Sequence, residues 1–264
     1  MSNLKRLSLL PEAEISDLYA RPVFNKIEQV LYFDMNPNEI DALSQFGTIK
    51  TKVYFILQLA YFKAKTQFFT FTFEDTLTDV KYVLSKFFRG TDKTFHGSIT
   101  RQLIYQQKQV ILNLFNYQDW STEQASLIEA HICELLRYYP KSHDTFRQLL
   151  VYFDNQKIVI PSYRNLQDLF TNAFSKENDR INQLMISISP SHQERLSELI
   201  NREDGITKLN IVRSDQKNFK YTATSTEVEK ALEITDLYLF SKDFLPNLLL
   251  SKNAIRYYAG LCRK

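Results

Sequence analysis

The chain has 264 residues, 44% of them apolar and 14% aromatic, the balance of a folded globular protein rather than a disordered one. Its 33 basic residues nearly cancel 30 acidic ones, so net charge alone assigns no partner. Five glycines and seven prolines are few for this length, which predicts long helices; the glycines lie at least seven residues apart, which excludes both a dinucleotide fingerprint and a Walker-type phosphate loop.

In chain order, helix-start chemistry recurs. Leu10-Pro11-Glu12 puts Pro at a first helical position, and Asn36-Pro37-Asn38-Glu39 offers an N-cap, Pro at N1 and a carboxylate at N3 that can reach back to the cap. Ser121 to Gln124 and Thr224 to Glu227 read as capping boxes, and Ser189-Pro190 as another cap. The pattern predicts helices over 12–20, 26–33, 37–45, 49–65, 76–89, 99–115, 122–138, 143–153, 164–174, 177–187, 190–202, 226–240 and 252–263. Phe68-Phe-Thr-Phe-Thr-Phe73 alternates with period two and reads as a short strand or extended connector. Leu209 to Thr222 reads as an irregular linker or weak hairpin. The fold class is all-α: successive small helix-turn-helix-like modules, then a helical linker and dimerisation region. The expected divisions are 1–70, 71–140, 141–205 and 206–264.

Charge is unevenly distributed. Residues 42–73 hold Lys50, Lys52, Lys63 and Lys65 and no acid, and residues 80–118 hold Lys81, Lys86, Arg89, Lys93, Arg101 and Lys108 against Asp92 alone. Such windows fit either a side that faces a polyanion or a merely solvated surface. The helices at 37–45 and 49–65, joined by Phe46-Gly47-Thr48, suggest a helix-turn-helix with Gly47 left-handed. Ile49, Val53, Ile56 and Ala60 would form its buried stripe, leaving Lys52 and Lys63 to meet phosphates. On the helix at 99–115, Ile99, Leu103, Val110 and Leu114 would face inward, with Arg101, Tyr105 and Lys108 on a second stripe and Gln102, Gln106 and Gln109 beside it. Arg, Lys and Gln carry the donors and acceptors that match base edges in the major groove.

Catalytic patterns are weak. His96, His131, His143 and His192 are scattered, no H-E-x-x-H or G-x-S-x-G occurs, and His131 and Cys133 point apart on a helix. Glu74, Asp75 and Asp79 sit at a helix start, where compensation of the macrodipole accounts for them. The two cysteines, Cys133 and Cys262, build no disulfide framework, the first residues lack a secretory signal, and the most apolar run, Val53 to Phe62, is half a membrane span. A cytoplasmic protein with no membrane partner is expected.

Seven segments together resemble transposases of the Tn-three family, the replicative transposons bounded by terminal inverted repeats. They are Arg6 to Glu12, Tyr19-Ala-Arg-Pro22, Leu31-Tyr-Phe33, Phe55-Ile-Leu-Gln58-Leu59, Lys157-Ile-Val-Ile-Pro161 with Asn165-Leu166, Lys217 to Tyr221, and Leu250 to Ala259. The resemblance implies that the chain is the N-terminal DNA-binding part of a longer transposase. The magnesium-binding catalytic domain would lie beyond residue 264, so no catalytic residue, metal ligand or cofactor is expected here. It implies double-stranded DNA at the transposon ends as partner, and a homodimer for the full-length protein. The family tends to have a strongly basic helix where this chain has Arg101 to Lys108. Phosphates would be met by Lys50, Lys52, Lys63, Lys86, Arg89 and Lys93, and bases read by Arg101, Gln102, Tyr105 and Lys108. The alternative is a helical protein-interaction scaffold that binds no nucleic acid.

Overall fold

The computed structural model describes residues 7–90, 94–203, 206–213 and 221–261. Arg6, Asp92, Lys93, Lys217 to Lys220 and Cys262, all singled out in the sequence, lie outside the described residues.

The fold is all-α. In chain order the helices are α1 (Glu12–Tyr19), α2 (Lys26–Tyr32), α3 (Pro37–Ser44), α4 (Ile49–Lys65), α5 (Leu77–Phe87), α6 (Arg101–Phe115), α7 (Thr122–Tyr138), α8 (Ser142–Asn155), α9 (Tyr163–Ile186), α10 (Pro190–Ile200), α11 (Lys208–Arg213), α12 (Tyr221–Asn247) and α13 (Lys252–Leu261). A 3-10 turn over Glu74–Thr76 leads into α5. The other regular element among the described residues is a two-residue hairpin, β1 (Arg202–Glu203) paired antiparallel with β2 (Ile206–Thr207).

Cap chemistry explains most of the starts. Asn36 accepts from Glu39 N at 3.0 Å while Glu39 Oε2 accepts from Asn36 N at 2.9 Å, the reciprocal box expected for α3. Asn25 and Glu28 build a second box at α2, and Ser189 caps α10. The start expected at Thr224 is corrected, because α12 has already begun at Tyr221. Two expected helices, 164–174 and 177–187, are one continuous α9: no Gly or Pro interrupts it, so nothing breaks the intrahelical ladder. The short α11, Lys208–Arg213, runs into the expected linker at 209–222. Gly47 is not left-handed; the turn after α3 is closed instead by Phe46 N donating to Leu43 O at 3.2 Å.

Two compact units result: residues 1–129 with 142–170, and residues 130–141 with 171–264. The first does not divide near residue 70. Its core is α4, whose residues Val53 to Phe62 are all buried. Phe24 and Phe33 from the α2 region, Phe69, Phe71 and Phe73, and Val80 and Val83 of α5 pack on one side, joined by Ile99 and Ile104. Phe46, Ile111, Leu112 and Val159 pack on another. The period-two segment is an extended connector, not a strand. Phe69, Phe71 and Phe73 are buried while Phe68 is half-buried and Thr70 exposed, and Gln58 of α4 stands in for a partner strand: its Nε2 donates to Phe69 O at 2.6 Å and its Oε1 accepts from Phe69 N at 3.5 Å. A second junction ties the chain start to α9, where Leu9 N and Leu10 N both donate to Tyr163 Oη, at 3.0 and 3.3 Å.

The second unit has its own contacts. Phe240 stacks on Phe244 with centroids 5.3 Å apart, and His192 sets its ring edge-on to both. Arg195 bridges Glu198 and Glu233. Arg180 chelates Glu177, which is itself buried. Nearby, burial raises the Tyr258 hydroxyl pKa above its usual value, with the Glu177 carboxylate adding to the effect.

Candidate nucleic-acid interface

A helix that reads a groove must keep one face open along its length. α4 does not: ten consecutive residues in its middle are enclosed on every side, far beyond the Ile49/Val53/Ile56/Ala60 stripe expected of it. The helix-turn-helix reading with α4 as the inserted helix is therefore corrected. Its role is to organise the core.

The lysines around it are largely engaged. Lys63 pairs with the buried Glu39 at 2.7 Å and also donates to Asp34 O at 2.6 Å. Lys86 reaches Phe33 O at 3.4 Å and the Asp34 carboxylate at 3.7 Å. Lys65 donates to Asp17 O and to Ala20 O. Each thus covers carbonyl oxygens at or just beyond the end of α1 or α2, where cations offset the negative end of the helix dipole. Lys50 donates to His96 O at 3.0 Å and lies 5.6 Å over the Phe73 ring. Lys108 pairs with Asp119 at 2.7 Å beside the Phe68 ring. Arg89 is exposed and Lys52 half-buried.

α6 is built differently. Its inward face is Leu103, Ile104, Gln107, Val110, Ile111 and Leu114, so the expected stripe is right at Leu103, Val110 and Leu114 but centred elsewhere. The reason is Gln107, a polar residue at a core position: fully buried, it donates from Nε2 to Thr51 O at 2.9 Å and ties α6 to the first turn of α4. Turning the helix to bury Gln107 leaves Arg101, Gln102, Tyr105, Gln106 and Asn113 exposed, with Gln109 half-exposed among them; Tyr105 is 62% accessible. At about 100° per residue these six fall within an arc of about 140°, an arc that Leu112, 3% exposed, closes off on the side of Arg101 in the last turns of the helix. No acid lies on the helix. Among the described residues no carboxylate pairs with Arg101. Lys108 is at the margin of this face, held by Asp119.

The helix ends complete the site. Within the run from α1 to α8, six helices carry an acid in the first turn, whereas α4 and α6 carry none. Thr48 and Thr100 cap them with hydroxyls, neutral groups that leave the positive end of the dipole uncompensated. The contact between Gln107 and Thr51 holds α4's first turn, with Lys50 and Lys52, against the buried side of α6, opposite its exposed face.

The start of α6 is fixed by a clamp on the preceding loop. Glu74 accepts from Gly97 N through both oxygens, at 3.0 and 3.1 Å, and lies 3.2 Å from His96 Nδ1, while Phe73 N donates to Gly97 O at 2.8 Å. The backbone bond to Gly97 is the main reason the Glu74 carboxyl falls from its ordinary 4.5 to about 2. Asp75 is lowered too, chiefly by the backbone N–H of Thr72. Asp79 is buried, which dipole compensation alone does not explain: it accepts from Tyr61 Oη at 2.8 Å and Gln29 Nε2 at 2.9 Å, and Arg21 reaches the same hydroxyl at 3.1 Å. Burial, reinforced by Asp79, pushes the Tyr61 hydroxyl far above its usual range. Sequence reasoning missed this network and Gln107. Among the described residues no group of three or more His, Cys, Asp or Glu assembles that could hold a metal ion, and no helix is long and apolar enough to cross a membrane.

The fold and this surface define the protein as an all-α chain presenting an acid-free polar helix face, with two helix starts, those of α4 and α6, that carry no compensating acid. The chain belongs to the DUF4158 family, a domain of unknown function, whose profile matches residues 9–173, more than half its length. No curated protein matches it.

Proposed function

We propose that the chain binds duplex DNA as the end-recognition region of a transposase similar to the Tn-three family. The observation that carries this reading is the exposed face of α6, where Arg101, Gln102, Tyr105, Gln106, Gln109 and Asn113 stand together with no carboxylate on the helix. Arg pairs with guanine O6 and N7, and Gln or Asn with adenine N6 and N7. The uncompensated start of α6 supplies the field and N–H groups that attract phosphate; Lys52 at the start of α4 adds a cation, and Lys50 joins it by exchanging its bond to His96 O for a phosphate oxygen. Arg89 adds an exposed cation, and Lys93 from the same basic window is assigned to phosphate by sequence alone. Lys63 and Lys86 are withdrawn from that role, because their ammonium groups already serve the ends of helices and acids. Cleavage chemistry and its magnesium would belong to a catalytic domain elsewhere in such a transposase, and a homodimer to the full-length protein.

A mobility-shift titration over a range of salt tests the reading. Neutralising Z phosphates gives a slope of about −0.9Z in log K against log salt, and the cations left free predict Z of roughly 3–5. Absence of binding at low salt, or indifference to salt, overturns it. A helical interaction scaffold without nucleic acid is the competing reading. It is favoured by Val23, Ile27, Val30 and Leu31, which leave an apolar face around α2 open, Val23 being 84% accessible; its test is sedimentation of the chain over a concentration series.

A further inference from the structure

A cleft of about 400 Å³ opens beside the Lys108 margin of α6. Phe68 and Phe69 of the extended connector, Asp119 and Trp120 before α7, and the stretch Val159 to Ser162 line it together with Tyr19 and Lys108. Its frame is rigid: Tyr19 Oη donates to Pro161 O at 3.0 Å, Gln67 Nε2 donates to Leu18 O at 3.2 Å, and Gln118 exchanges backbone bonds with Lys157 and Val159. The volume is that of a small-molecule site. The lining combines aromatic side chains with one charged pair, Lys108 and Asp119, 2.7 Å apart and both partly accessible.

We propose that this cleft receives an unstacked nucleobase. Every base carries a hydrogen-bond donor next to an acceptor on its Watson–Crick edge, and extruded bases are held by bonds to that edge and by stacking on aromatic side chains. Asp119 accepts from the base's N–H while Lys108 donates to the neighbouring ring nitrogen or carbonyl. In the structure the two groups bond each other at 2.7 Å, so they stand side by side, and the second Asp119 oxygen and the remaining Lys108 protons are the groups a base edge meets. Position favours a base that belongs to DNA over a free nucleotide, since Lys108 continues the Arg101–Tyr105 stripe of the face assigned above to the duplex. The inference rests on that assignment for the source of the base, not for the chemistry of the cleft.

Trp120 is the only tryptophan of the chain, so its fluorescence reports on this cleft. The experiment compares four probes: a fully paired duplex, the same duplex with one unpaired nucleotide, that duplex with an abasic residue at the unpaired position, and a deoxynucleoside monophosphate. The expected result is about tenfold tighter binding of the duplex with an unpaired base than of the paired or abasic duplexes, accompanied by Trp120 quenching. Asp119→Asn and Phe68→Leu should each erase that gain while leaving the paired duplex and the circular dichroism of the protein unchanged. Equal affinity for the three duplexes with unaltered fluorescence overturns the proposal and leaves duplex binding standing. Quenching by the monophosphate with no gain from the unpaired base moves the site to free nucleotides and overturns its place in DNA binding. If no duplex binds at all, the duplex reading fails, and the monophosphate titration decides the cleft by itself.

Discussion

α4 and α6 arise from the two basic windows of the chain, begin without acids, and touch through Gln107 and Thr51. Yet one is surrounded and the other half open. Around α4 the cations Lys63, Lys65 and Lys86 are consumed within the fold, on Glu39, on Asp34 and on helix-end carbonyls. On α6, Arg101 and its polar neighbours face water. Basic windows that look alike along the chain thus divide into cations that hold the fold together and cations left for a partner, and packing decides which is which.

The sharpest way to break the comparison is at the core. Asp79→Ala leaves Tyr61 Oη and Gln29 Nε2 without their shared acceptor and should lower stability by about 3 kcal/mol, read as a shifted midpoint in denaturant unfolding. Next, Arg101→Ala should weaken binding to a cognate duplex by about 2 kcal/mol, and to random duplex far less, with unfolding unchanged within about 0.5 kcal/mol. Lys63→Met should do the reverse. It removes the cation from the buried Glu39, which keeps the Asn36 N–H as a partner, and lowers stability by about 2 kcal/mol, while the salt slope of binding stays as it is. If Lys63→Met reduces the slope and Arg101→Ala does not, the division between structural and open cations is drawn the wrong way round.

The smallest effect concerns acid. The folded Glu74 carboxyl titrates near 2 instead of 4.5, so the unfolded chain binds the proton first as pH falls. Its contribution to stability is complete above about pH 4.5 and disappears as pH drops towards 2. Glu74→Gln should flatten the acid limb of a stability profile in that window and leave neutral pH little altered. An unchanged acid limb would show that the Gly97 clamp does not persist in solution.

Much of the helical frame was legible because its signals are local. Asn36-Pro37-Asn38-Glu39 is a cap readable residue by residue, and Phe68 to Phe73 announces an extended segment by alternation, though what satisfies its backbone, Gln58, lies ten or more residues away in the chain. The candidate surface was legible in composition and less so in rotation. Arg101, Gln102 and Tyr105 do face outward, but Lys108 is turned towards Asp119, and Asn113 joins the open face unannounced. A periodicity argument assigns Gln to solvent, so Gln107 at the centre of a packed face cannot be found by counting apolar residues. Nor can the enclosure of α4 be foreseen from one helix, since it depends on α2, α3, α5, α6 and the connector arriving together.

The clamp of Glu74 on Gly97 has a consequence for insertions and deletions. α6 begins at Arg101, four residues beyond that fixed point, so the loop acts as a phase-setting spacer for the helix. Removing any one of Ser98, Ile99 and Thr100 would wind α6 by about 100°, carrying Gln107 out of the core and bringing Leu103 and Val110 towards water. The composition of α6 would be untouched, and its polar face would be presented in another direction. Length variation among relatives should therefore be excluded between residues 97 and 101.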